Sequence, residues 1–166
     1  MNEDLIEAVI EIPYGSKNKY EIDKSTGRIY LDRVLYAAMN YPAEYGIVED
    51  TLAPDGDALD ILVISNERSF PGCIIPSRVL GYLEMMDGGK LDYKLISVVA
   101  CDPRYDEVRE LKDLPSFLLK EIKNFFDNYK VLQGIDVKVG EYHDKASALR
   151  IIKECRERFK ESLKQA

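Results

Sequence analysis

Short strand patterns fill the first hundred positions of this 166-residue chain, and helical patterns appear only after them. Several of these segments alternate polar and apolar residues with a period of two, which is typical of half-buried strands. The patterns predict strands over residues 9–12, 19–23, 28–36, 61–64, 74–86, 91–101 and 136–142. Because the strands do not alternate with long helices, the order of elements argues against a doubly wound fold.

Turn and helix signals divide the rest of the chain. Residues 87–90, Asp-Gly-Gly-Lys, separate two long apolar segments and predict a hairpin turn, whereas residues 41–46 are assigned to a loop. Pro115 is favourable at a helix start, and apolar residues follow it at helical spacing until Gly134 ends the run. Asp144 is the predicted N-cap of a second helix. The expected buried stripe of that helix is Ala148, Ile151, Ile152, Cys155, Phe159 and Leu163.

These elements predict a mainly β fold with helices, in which a small closed barrel is flanked by two α-helices. An antiparallel α+β sandwich is the alternative. The chain has the length of one domain, which is expected to span residues 1–166, although two small domains would also fit.

Charge and composition limit the functions open to the chain. The net charge of −7 argues against a nucleic-acid or anionic-membrane binder. The single histidine, His143, argues against histidine-based metal sites and catalytic triads. Three cysteines without C-x-x-C spacing indicate reduced thiols. With no basic signal peptide and no apolar run of about 20 residues, we expect a cytoplasmic protein without a membrane partner.

The densest group of carboxylates consists of Asp55, Asp57 and Asp60, which lead directly into an apolar strand. Carboxylates this close repel one another unless a positive charge lies between them. A solvated Asp-Gly turn is the alternative explanation. A second acidic group, Asp87 and Asp92, flanks the predicted hairpin turn, and its two members are expected to face each other across the neck of the hairpin.

Basic residues accompany these acids. Asp92 and Lys94 are two positions apart and therefore share one face of a strand, as do Lys19 and Glu21.

Arg33 lies on the same predicted strand face as the apolar residues Ile29, Leu31 and Leu35. A charge on such a face needs a partner or must lie where the barrel opens, and a guanidinium group suits phosphate. If the acidic and basic groups converge, a metal-bound phosphate would suit both. Oxygen donors with almost no histidine or cysteine favour Mg²⁺ or Mn²⁺ over Zn²⁺.

Over roughly residues 8–142 the sequence closely resembles the family I soluble inorganic pyrophosphatases of the prokaryotic type. The motifs that carry the resemblance are Val9–Pro13, Lys19–Lys24, Asp32-Arg33, Tyr41-Pro42, Tyr45-Gly46, Asp55–Asp60, Pro71-Gly72, Asp87–Lys94, Asp113–Pro115, Phe125-Phe126 and Tyr129-Lys130. The resemblance implies an OB-like, five-stranded closed barrel and hydrolysis of pyrophosphate to two phosphates by a metal-activated water. It also implies several Mg²⁺ ions per active site, with Mn²⁺ or Zn²⁺ as possible substitutes, and a homohexamer.

The resemblance further implies a role for each matching residue. Asp57 would be the general base, and Tyr41 would line the cavity. The metal ligands would be Asp55, Asp60, Asp87, Asp92, Glu21 and, through bound water, Glu11. The substrate would be bound by Lys19, Arg33, Tyr45, Lys94, Tyr129 and Lys130. The alternatives are a metal-binding OB-fold module without catalysis and a phosphatase acting on another small phosphate ester.

Overall fold

A computed structural model describes residues 3–165 of the chain. The strands are β1 (Leu5–Ile12), β2 (Asn18–Ile22), β3 (Ile29–Val34), β4 (Glu44–Val48), β5 (Leu59–Ile64), β6 (Ile74–Asp87), β7 (Lys90–Val99) and β8 (Val137–Asp144). The helices are α1 (Ser116–Asn128) and α2 (Lys145–Gln165). No helix within residues 3–165 is both long and apolar enough to cross a membrane.

Five strands close into a ring in the order β1-β4-β5-β7-β6, and β6 pairs again with β1. The neighbours are antiparallel except for β5 and β7, which run parallel. Strand β8 extends the sheet beside β6. The prediction of a mainly β fold with an OB-like barrel and two flanking helices is confirmed, and the sandwich alternative was wrong because the strands form one closed ring.

Two glycines allow neighbouring strands of this sheet to approach closely. A Cβ atom on Gly46 would lie 2.0 Å from the carbonyl oxygen of Val9, beside a bulge in β1. A Cβ atom on Gly81 would lie 2.3 Å from the carbonyl oxygen of His143, where the register between β6 and β7 shifts. The close approach of β4 to β1 and of β6 to β8 therefore requires glycine at these two positions.

Both faces of the barrel sheet are buried. Ile61 and Val63 of β5 belong to one apolar cluster, which α2 covers, whereas Leu62 and Ile64 belong to the other, which α1 covers. Strands that are buried on both faces show apolar runs instead of alternation. This explains why β5 appears in the sequence as a continuous apolar segment.

Strand β4 is absent from the sequence-based prediction, which places residues 44–46 in a loop. Every residue of β4 except Ile47 is buried, so the strand lacks the alternation that identifies a half-buried strand. Pro42 and Gly46 also gave a turn signal within the segment. Strand β1 begins at Leu5, four residues before the predicted start.

The predictions for the hairpin and the helices were mostly correct. Strands β6 and β7 form the predicted hairpin, and the Ser147 amide donates to the Asp144 Oδ1 atom over 2.8 Å, which confirms the N-cap. The stripe predicted on α2 was wrong at its end, because Leu163 is 62% exposed. The last turns of α2 extend beyond the apolar cluster that buries Ala148, Ile152 and Cys155.

Strands β2 and β3 form a separate two-stranded sheet, which we call the β2–β3 hairpin and which contacts the barrel at β1. The expectation that Arg33 shares a strand face with Ile29 and Leu31 was wrong, because the register shifts at Asp32: Arg33 pairs with Lys19 and Leu31 with Tyr20, so their side chains lie on opposite faces. Ile29 and Leu31 are also 46% and 50% exposed. A two-stranded sheet outside the barrel has no second layer to cover this face.

Candidate active site

One open cavity of about 380 Å³ lies between the barrel, the β2–β3 hairpin and the end of α1. The structure brings every predicted metal, substrate and catalytic residue to its lining: Glu11, Lys19, Glu21, Arg33, Tyr45, Asp55, Asp57, Asp60, Asp87, Asp92, Lys94, Tyr129 and Lys130. Tyr41 also lines it. These residues come from distant parts of the chain, so the closure of the barrel creates the site.

The buried part of the cavity is organised around Lys94. The parallel register of β5 and β7 pairs Lys94 with Asp60, and the period of two places Asp92 on the same face. The Lys94 Nζ atom lies 2.6 Å from an Asp60 oxygen, 2.8 Å from an Asp92 oxygen and 2.8 Å from the Tyr45 hydroxyl. Only 3% of the Lys94 side chain is exposed, so one ammonium group links three site residues away from water.

The charges of this cluster perturb one another. Burial alone would lower the pKa of Lys94, but Asp60, Tyr45 and Asp92 raise it well above its ordinary value, so the ammonium stays charged. Burial raises the pKa of Asp92 to about 6 despite the opposing effect of Lys94. The negative charge of Asp92 is therefore incompletely compensated by its neighbours. Burial also raises the pKa of Glu11, whose carboxylate accepts a hydrogen bond from the Ile22 amide.

The residues that follow α1 add a phenol, Tyr129, and a cation, Lys130, to the cavity lining. The Tyr129 amide caps the helix by donating to the Phe125 carbonyl oxygen over 2.9 Å, and the next residue, Lys130, donates to Asp87. Burial raises the pKa of Tyr129, and the same cause raises the pKa of Tyr41 and of Tyr45. These phenols therefore remain protonated and can donate hydrogen bonds to an anion.

The β2–β3 hairpin forms the more exposed wall. Lys19 contacts Glu21 over 2.5 Å and Asp32 over 3.5 Å, and the Arg33 Nε atom lies 3.0 Å from the same Asp32 oxygen. Between a fifth and about a third of each of these side chains is exposed. The wall consequently presents two cations that are already close to carboxylates but remain accessible to a ligand.

Two explanations were given for the acidic segment before β5, a solvated Asp-Gly turn and a functional cluster of carboxylates, and the structure has features of both. The Asp57 amide donates to Asp55 Oδ1 over 3.1 Å, and Gly56 adopts a φ of 97°, so the segment is an Asp-Gly turn. Both carboxylates nevertheless line the cavity.

The expected opposition of Asp87 and Asp92 was wrong, because the hairpin register pairs Asp87 with Lys90 and Asp92 with Met85. The two acids instead lie diagonally on the same face of the hairpin, and both reach the cavity.

The donor set fits a hard divalent cation. Among the lining residues carboxylates outnumber cations, and His143 and the three cysteines lie elsewhere. Oxygen donors in excess, including a buried Asp92 whose charge is incompletely balanced, suit such an ion. As the side chains of residues 3–165 are placed, no three acidic, histidine or cysteine groups surround a common metal position, and lysines contact Asp60, Asp87 and Asp92 instead.

Two polar lining residues were absent from the predicted site. Lys24 follows β2, and Gln133 lies in the short 3₁₀ turn after α1. Lys24 is the last residue of the Lys19–Lys24 motif, which could have suggested it. Gln133 carried no sequence signal, although its side-chain oxygen is buried without a hydrogen-bond partner in the described part of the chain.

An OB-like barrel with a cavity lined by excess carboxylates, buried phenols and cations suits a protein that binds a divalent cation together with an anion such as phosphate. Comparison with known proteins narrows this class. The family model described as Inorganic pyrophosphatase matches residues 8–160. The inorganic pyrophosphatase of Geobacillus stearothermophilus is 55% identical over 157 residues, which make up 95% of each chain.

Solved structures of inorganic pyrophosphatases are also similar to this chain. The inorganic pyrophosphatase from Thermus thermophilus has a TM-score of 0.91 and 44% identity, covering 95% of this chain and 92% of that one. The enzyme from Helicobacter pylori has a TM-score of 0.93 and 39% identity, covering 96% and 95%. The chain therefore belongs to the inorganic pyrophosphatase family. It is an inorganic diphosphatase that hydrolyses pyrophosphate and uses a divalent metal cofactor, and the family match extends beyond residue 142 into α2.

Proposed function

We propose that this hydrolase uses Mg²⁺, with several ions bound per active site, and that Mn²⁺ or Zn²⁺ can substitute. The observation that carries the proposal is the convergence of oxygen donors and cations in one cavity. The ions would be held by Asp55, Asp60, Asp87, Asp92, Glu21 and Glu11. Bound Mg²⁺ supplies two things: it lowers the pKa of water, and it offsets the negative charge of the substrate.

Asp57 is the general base in this proposal. Among residues 3–165 no basic side chain lies within ion-pair distance of Asp57, Asp55 or Glu11, and of these three acids Asp57 is the most exposed, whereas Glu21, Asp60, Asp87 and Asp92 each contact a lysine. An unpaired carboxylate in an exposed turn can orient the attacking water and accept its proton. His143, which lies outside the cavity lining, is not needed for this step.

The cations and phenols bind the two phosphoryl groups. Lys94 and Tyr45 donate from the barrel, Tyr129 and Lys130 from the end of α1, and Lys19 and Arg33 from the β2–β3 hairpin. Donors on several sides of the cavity can fix both halves of pyrophosphate and stabilise the charge that develops on the leaving phosphate. A metal-binding module without catalysis would give these cations no role.

Phosphate release from pyrophosphate by the purified protein tests the proposal, with Mg²⁺, Mn²⁺, Zn²⁺ or chelator present. We expect rapid release in Mg²⁺, slower release in the other ions, and loss of release in chelator that added Mg²⁺ reverses. Parallel assays with a phosphomonoester and a nucleoside triphosphate should give little phosphate. Unchanged release in chelator would contradict the metal requirement, and equal rates with the phosphomonoester would contradict the substrate.

We further propose a cytoplasmic homohexamer that keeps biosynthetic reactions moving forward by removing the pyrophosphate they release. The resemblance to prokaryotic pyrophosphatases supports the assembly. Exposed apolar side chains also support it, among them Leu31, Phe70 and Ile74. The unpaired cysteines suit a reducing compartment. Light scattering at micromolar concentration tests the assembly, and a stable monomer would contradict it.

A further inference from the structure

Lys24 differs from the other basic residues that line the cavity. Lys19, Arg33, Lys94 and Lys130 each contact at least one carboxylate. Among residues 3–165, no carboxylate lies within ion-pair distance of Lys24. The residue is also exposed, so it lies at the outer edge of the cavity. Its charge is therefore available to an arriving anion.

The turn that carries Lys24 is well ordered by hydrogen bonds. Asp23 Oδ1 accepts from the Ser25 amide over 2.8 Å, from the Thr26 amide over 3.0 Å and from the Ser25 hydroxyl over 2.6 Å. The Gly27 amide donates to the Asp23 carbonyl oxygen over 2.7 Å, with Gly27 at a φ of 67°. The carboxylate nearest to Lys24 in sequence is thus engaged in the turn, and the backbone of Lys24 has a defined place beside the cavity.

A free cation at this place meets an electrostatic need of the reaction. The chain has a net charge of −7, and carboxylates outnumber cations in the cavity lining. Bound divalent ions would offset the excess of carboxylates inside the cavity, but the rest of the chain stays acidic, so its field opposes the approach of pyrophosphate, which carries several negative charges. A positive charge at the entrance raises the local concentration of an anionic substrate and the rate of its capture.

We propose that Lys24 is a substrate-capture residue, which attracts pyrophosphate to the cavity without taking part in the chemical step. The inference rests on the proposed substrate site. Lys24 sets kcat/KM through its charge and leaves kcat nearly constant, because the paired cations deeper in the cavity hold the reacting phosphates.

The test compares Lys24→Gln with Lys153→Gln at several ionic strengths and saturating Mg²⁺. Both variants lose one positive charge, but Lys153 is exposed on α2 and lies outside the cavity lining. For Lys24→Gln we expect kcat/KM to fall about fivefold at low ionic strength and about twofold near 0.15 M, where the screening length is about 8 Å. Lys153→Gln should match the unsubstituted protein, and Lys24→Arg should keep most of kcat/KM.

A second readout is the affinity for inorganic phosphate, the reaction product, measured by calorimetry. This affinity should be weaker in Lys24→Gln than in the unsubstituted protein and unchanged in Lys24→Arg. Equal effects of Lys24→Gln and Lys153→Gln would overturn the inference, as would a fall in kcat/KM that does not depend on salt. Failure of Lys24→Arg to rescue would also overturn it. Absence of phosphate release from the unsubstituted protein in Mg²⁺ would instead overturn the proposed function, so the two failures are distinguishable.

Discussion

The two walls of the cavity use similar ion pairs in different surroundings. On the barrel wall Lys94 lies 2.6 Å from Asp60, and on the β2–β3 hairpin Lys19 lies 2.5 Å from Glu21. The distances are nearly equal, yet the lysine side chains are 3% and 22% exposed. Exposure, not distance, therefore distinguishes the two pairs.

This difference determines what each wall contributes. An accessible ion pair adds at most about 1 kcal/mol to stability, because water screens it and its side chains lose freedom. A buried pair depends on its partner, since removing one member leaves an uncompensated charge. We expect substitutions on the barrel wall to change stability and activity together, and substitutions on the hairpin to change substrate handling alone.

The largest expected effect comes from Asp57, which is exposed and belongs to neither ion-pair system. Asp57→Asn should lower kcat by about 10²–10⁴-fold, the usual contribution of a general base, and leave the free energy of unfolding nearly unchanged. Phosphate release and urea unfolding measure the two quantities. Asp127→Asn is the matched control, because Asp127 is exposed on α1 and outside the cavity. A kcat for Asp57→Asn within twofold of the control would remove Asp57 from the role of base.

The second prediction compares the walls directly. In chelator, Lys94→Met should lower the free energy of unfolding by about 3–5 kcal/mol, because Asp60 and Asp92 lose the cation between them. Lys19→Met should lower it by at most about 1 kcal/mol. Urea denaturation of both variants at pH 7 tests this. Equal losses would show that burial does not separate the two walls.

The third prediction is that removing the charge of Asp92 raises the free energy of unfolding, whereas removing the charge of Lys94 lowers it. Its pKa is about 6 in the folded chain and 3.8 in the unfolded reference, so the folded state binds the proton more tightly. This contribution to stability is complete below about pH 4 and is lost as the pH rises through 6. At pH 7 in chelator, Asp92→Asn should therefore be more stable than the unsubstituted protein, by up to about 3 kcal/mol.

Urea denaturation at pH 4 and pH 7 measures this difference, which should nearly vanish at pH 4. Activity in Mg²⁺ should fall strongly in the same variant, because a proposed metal ligand is lost. A variant less stable than the parent at pH 7 would mean that the Asp92 charge stabilises the metal-free fold.

The sequence predicted most of the elements and the composition of the site, but not its assembly. Asp60 and Lys94 are far apart in sequence, and only the parallel pairing of β5 and β7 brings them together. Spacing within one strand, which predicted that Asp92 and Lys94 share a face, carries no information about such pairing. Strand β4 escaped detection because burial on both faces removed its alternation.

Arg33 shows a second limit of sequence patterns. In the structure the extra residue Asp32 breaks its alternation with Ile29 and Leu31, and both apolar residues are about half exposed. A period of two in the sequence reveals neither a bulge, which reverses the faces, nor whether another layer covers a face. The chemistry of the guanidinium group, not the burial of its neighbours, made Arg33 a sound candidate.

The smallest expected effect tests the hairpin wall at this residue. Arg33→Ala should raise the KM for pyrophosphate several-fold and change the free energy of unfolding by less than about 1 kcal/mol, since its contact with Asp32 is accessible. Arg33→Lys should recover only part of the loss, because an ammonium group cannot donate in the fixed fork of a guanidinium. Steady-state kinetics and urea denaturation measure both effects. Full recovery by lysine would mean that this wall supplies charge alone, whereas a large loss of stability would mean that the hairpin is as interdependent as the barrel.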